Sequence, residues 1–184
     1  MTSSVKTAAS DSIAPPSVAP ASQTRVDAVS DRFVLVGDYF PILLSVSPAQ
    51  YTENTVRQMA EAFEEYFIRG TRYVVISVSP NGARPPDAKQ RKLVTDWISS
   101  PRVMSYSARL CLGSANIVPS SLLRGLHTAL LWAWSPPFPV KPVAGAREAL
   151  DYALDTLEKS GVPLPPGGVA LRVKVQRRLQ EIMG

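Results

Sequence analysis

The chain has 184 residues, of which 45% are hydrophobic and 19% charged, with 20 Lys and Arg against 15 Asp and Glu. This is enough apolar content for one buried core and excludes a chain disordered throughout. One cysteine excludes an internal disulfide, one histidine and no CxxC pair exclude a Cys/His zinc cluster, and no apolar run approaches the length of a membrane span. The expectation is a soluble, cytoplasmic protein of one domain without a cofactor.

Residues 1–31 are rich in Ser, Ala, Pro and Thr and lack apolar periodicity, so they are expected to be a disordered leader with no secretory signal. The runs "RFVLVGDYF" and "PILLSVS" follow, reading as two strands joined by a tight turn at Asp38 to Pro41. Val56, Met59, Ala60, Phe63 and Phe67 then recur at helical spacing, and Gly70 supplies the stop. "RYVVISV" is a β-branched run bounded by Gly70 and Pro80, as a buried strand requires.

Asp87 and Gln90 have the spacing of a capping box, and Leu93, Val94, Trp97 and Ile98 form the stripe of the helix it opens, which Pro101 limits, with room for another turn after it. "RLCLGSANIV" reads as the next strand. Ser120 or Ser121 caps a helix with the stripe Leu123, Leu126, Leu130 and Trp134, stopped by Pro136 and Pro137. "FPVKPV" holds two prolines, so as a strand it belongs at a sheet edge. Ala146 to Lys159 completes the domain with a helix carrying Leu150, Ala153, Leu154 and Leu157 inward.

The domain therefore spans 32–161, and "GVPLPPGG" within residues 161–168 is a Pro/Gly linker over 162–168 to a basic tail, 169–184. Leu171, Val175, Leu179 and Ile182 make a helical stripe in that tail, although Val169, Leu171, Val173 and Val175 also alternate as in a strand. Arg172, Lys174, Arg177 and Arg178 against Glu181 place +3 of the chain's +5 there. The fold class expected is α/β, with a mixed sheet of about five strands covered by about four helices, plus the basic C-terminal helix.

The segments "AFEEYFIRGTRYVVISVS", "QRKLVTDWI" and "SANIVPSSLLRGLHTALLWAWSPPFPVKPVAGAREALDYAL" resemble the STAS superfamily, in its bacterial SpoIIAA-like branch, over roughly residues 33–160. The resemblance implies a regulatory protein-interaction domain. In phosphorylation-switched members the loop after the third strand carries an Asp-Ser-Ser-Gly-like motif. Here the region reads "ISVSPNGARPPD", with Ser77 and Ser79 present as the candidate phosphorylation sites and the aspartate and second serine of the motif absent.

The residues themselves offer little catalytic chemistry. His127 has no carboxylate at helical spacing to orient it, Cys111 lies in a core strand, and no nucleophile elbow or phosphate-binding glycine loop is present. The preferred function is thus a non-enzymatic STAS-like module that binds a protein partner. Its candidate contacts are Ser77, Ser79, Asn81, Arg124, Trp134 and Phe138, with Arg172, Lys174, Arg177 and Arg178 as a second attachment point. The tail admits an anionic lipid surface, whereas four cations without interleaved aromatics argue against nucleic acid. The alternatives are a small-molecule or lipid-binding domain with an apolar cavity under the helix from Leu122, and an enzyme using His127 with Cys111.

Overall fold

The computed structural model describes residues 31–80, 87–133, 135–164 and 167–184, with the backbone alone at 126, 129, 130, 132 and 133. The leader up to residue 30, Asn81 and Trp134 lie outside the described residues. Five strands, β1 (Val34–Tyr39), β2 (Ile42–Val46), β3 (Tyr73–Val78), β4 (Cys111–Ile117) and β5 (Val140–Val143), form one sheet in sequence order. β1 is antiparallel to β2, and the other pairs are parallel, so the expected α/β mixed sheet is present.

Six helices occur among the described residues: α1 (Glu53–Arg69), α2 (Ala88–Ile98), α3 (Pro101–Leu110), α4 (Ser121–Ala133), α5 (Ala146–Lys159) and α6 (Gly168–Met183). The expected stops and caps are recognisable. Gly70 is left-handed at φ 64° after α1, and the Asp87 carboxylate accepts from Gln90 N at 2.8 Å while Gln90 Oε1 accepts from Asp87 N. The opening turn is Phe40–Pro41, with Asp38 and Tyr39 still inside β1. β5 carries Pro142 on the sheet edge, where a missing amide is tolerated.

The segment after Pro101 departs from the expectation. Pro101 opens a separate helix, because its fixed φ and absent N–H suit the first helical position. Val103, Ser107 and Leu110 then fall on one buried face, so Arg109 and Leu110 are helical and the strand begins only at Cys111. In α4, Leu123 was expected inward but is 47% exposed.

Strand alternation sends the two sheet faces to different helices. Ile42, Leu44, Val46, Val74, Ile76, Val78, Ala115, Ile117 and Val143 pack with α5 and α6. Leu43, Tyr73, Val75 and Cys111 pack instead with α1, α2 and α3 through Phe67, Trp97 and Val103. The tail segment is helical throughout from Gly168, and its stripe of Leu171, Val175, Leu179 and Ile182 lies in the first of these clusters with Leu150 and Ala153. The stripe from Leu171 to Ile182 is therefore committed to the chain's own core, while Val169 and Val173 stay exposed beside the polar residues of the helix. Among the described residues no helix is long and apolar enough to cross a membrane.

Candidate functional site

The residues singled out from sequence fall at three separate places. Ser77, Ser79 and Arg124 lie at the carboxyl ends of the parallel strands, the edge where open α/β sheets usually present ligand groups. Phe138 precedes β5 at the opposite edge, half-buried against the cluster that contains Leu110 and Cys111. Arg172, Lys174, Arg177 and Arg178 lie on α6, across the sheet from both α1 and α3. Phe138 and the serines thus do not form the single surface expected of them.

At the carboxyl edge the register aligns three polar side chains. Ser45 is paired with Ser77 and Ser77 with Asn116, across three adjacent strands. Counting by twos from Leu43 and Val75 puts Ser45 and Ser77 on the face toward α1 to α3, and all three polar residues are half-buried. Neither serine hydroxyl bonds another described side chain. The sheet at this row is polar.

His127 approaches this row from α4. Asn116 Nδ2 lies 3.2 Å from His127 Nε2, and Asn116 Oδ1 accepts the Ser114 hydroxyl at 2.8 Å. With its oxygen already occupied, the amide donates to Nε2, which places the imidazole proton on Nδ1. Nδ1 is buried and meets no hydrogen-bonding group among the described residues. Burial also lowers the imidazole pKa, so the ring is neutral at pH 7 with its accepting nitrogen already engaged.

Cys111 is not beside it. The thiol donates weakly to Gly113 O and is pushed up to about 12 by burial. It opens β4, whereas Asn116 lies five residues along, roughly 16 Å at the rise of a strand. The Cys111 and His127 pairing that the enzymatic alternative requires is therefore not assembled.

Arg124 secures the strand-to-helix connection. Its Nη1 donates to Val118 O at 2.8 Å and to Pro119 O at 2.6 Å, while the Ser120 hydroxyl accepts from Leu123 N. The guanidinium is consequently engaged with its own loop rather than offered to a partner. At Gly125, the next residue, a Cβ would meet nothing within 4 Å. What the braced turn does present is Leu122, 81% exposed, beside Leu123.

Ser45, Asn116, Leu122 and Leu123 were not among the contact residues expected from sequence, Leu123 being assigned to the core. The repeated "SVS" of "LLSVS" and "VISVS" was the available signal, but only strand register shows that its serines are neighbours. On α6, Arg172 bonds Asp151 and Arg178 bonds Glu181, while Lys174 and Arg177 are exposed without an ion pair among the described residues. No family model, no curated protein and no solved structure matches the chain.

Proposed function

We propose that this chain is a non-enzymatic protein-interaction module of STAS-like type, binding its partner at the carboxyl edge of the sheet. The observation that carries the reading is the Leu122–Leu123 pair, held in solvent on the first turn of α4 by a serine cap and an arginine brace. A rigid turn that exposes two leucines has already met the ordering cost of binding, which favours an interface over simple surface exposure. Exposed Ser79 and half-buried Ser45 and Ser77 lie at the same carboxyl edge of the sheet and add hydrogen-bonding groups there, as the polar rim of a protein interface requires.

The test is site-specific photo-crosslinking from position 122 of the full chain in its native cells, compared with a probe at Val173 on α6. A defined partner captured at 122 and lost in Leu123→Glu, with unchanged circular dichroism, supports the reading. Capture from position 173 alone would move recognition to α6 and overturn it.

A further inference from the structure

The net charge of the chain has a second seat. Residues 88–110, which form α2 and α3, carry Lys89, Arg91, Lys92, Arg102 and Arg109 against the single acid Asp96. The basic character is therefore shared between this segment and the tail. α3 itself has no acidic residue, and Arg102, Tyr106 and Arg109 form one stripe along it at spacings of four and three.

The side chains converge on one ring. Arg109 Cζ lies 5.0 Å and Arg102 Cζ 5.9 Å from the Tyr106 centroid, while Phe67 of α1 stacks on the same phenol at 5.0 Å and 10°. Arg102 is bonded to Glu64, but Arg109 has no acidic partner among the described residues. A guanidinium near an aromatic ring is held in place while its edge N–H groups remain available to a carboxylate or phosphate. Next to Phe67, at the end of α1, Ile68 is 75% exposed.

We infer that the α3 stripe, flanked by Ile68, is a second interaction surface that takes an acidic protein segment. It lies apart from the carboxyl edge and goes beyond the reading above. Charge complementarity selects the partner: two guanidiniums face one internal carboxylate, so an incoming carboxylate completes the set. Nucleic acid fits less well, because the Tyr106 ring is already engaged by Phe67 and the two arginines and does not offer a free platform for a base. The exposed Ile68 adds an apolar contact of the kind a peptide side chain satisfies.

Fluorescence anisotropy of a labelled polyglutamate peptide with the full chain tests this, using an oligothymidylate of matched charge as competitor. Salt-sensitive peptide binding is expected to weaken at least about tenfold in Arg102→Gln/Arg109→Gln, as loss of charge-assisted bonds requires. Ile68→Glu, which leaves the ring cluster intact, should weaken it as well, whereas Lys174→Gln/Arg177→Gln on α6 should not. No binding by the wild type, retention of binding by both α3-side variants, or loss through the α6 variant overturns the inference. Tighter binding of the oligothymidylate also overturns it, by reassigning the stripe to phosphate.

Discussion

The Asn116 carboxamide and the His127 imidazole join β4 to α4 at 3.2 Å across eleven positions of chain. Burial keeps the only histidine of the chain neutral, and the bond leaves Nε2 as acceptor with Nδ1 buried without a partner among the described residues. A histidine placed this way is a packing element that resists protonation.

That resistance has a sign. Burial sets the folded pKa of His127 below its unfolded value near 6.5, so the unfolded chain binds the proton first as pH falls. Stability should therefore decline on acidification from about pH 7 through the unfolded pKa toward the folded one. Urea midpoints of wild type and His127→Gln should converge as pH is lowered from 7 to 5.5; parallel curves would remove histidine from the effect.

Leu179 is fully buried on α6 and belongs to the main core cluster. Leu179→Ala should cost about 2–5 kcal/mol, read from denaturant unfolding at constant slope. For the same reason a chain ending at Gly161 should lose cooperative unfolding, because it would uncover the apolar face that α6 protects. A truncated chain with the wild-type midpoint would show α6 to be dispensable.

Gly125 sits within α4, where an added methyl meets open space. Gly125→Ala should stabilise by about 0.5–1 kcal/mol through lower unfolded-state entropy and better helix propensity. Calorimetry should show a rise of about 1–4 °C in Tm for a chain of this size.

The Cys111 thiol is buried and raised to about 12, so it should not react with Ellman's reagent at pH 8 in the native state. Labelling should appear only with urea, at the rate of unfolding. Rapid native labelling would mean that α3 opens readily from the sheet.

Arg124 spans Val118 O and Pro119 O, and Arg124→Gln should loosen this turn at a cost of about 1–2 kcal/mol. Faster amide hydrogen exchange in the first turn of α4, with β2 and β3 unchanged, is the expected pattern. Unaltered exchange there would show the serine cap to be sufficient.

Local chemistry determined most of the secondary structure from sequence alone. The apolar stripe from Val56 to Phe67, the Asp87–Gln90 box, Gly70 and the prolines act over a few residues, and those signals do not depend on what packs beyond them. The segment 101–110 was harder to read because Pro101 both ends one helix and starts another. The α6 stripe was visible too, but periodicity shows that a helix has an apolar side without showing which surface covers it. Only the tertiary structure decided that this surface is the chain's own sheet, that Ser45, Ser77 and Asn116 are neighbours, and that Asn116 meets His127. Those relations depend on strand register and on helices crossing between strands, so residues far apart in the chain become adjacent only when the whole core closes.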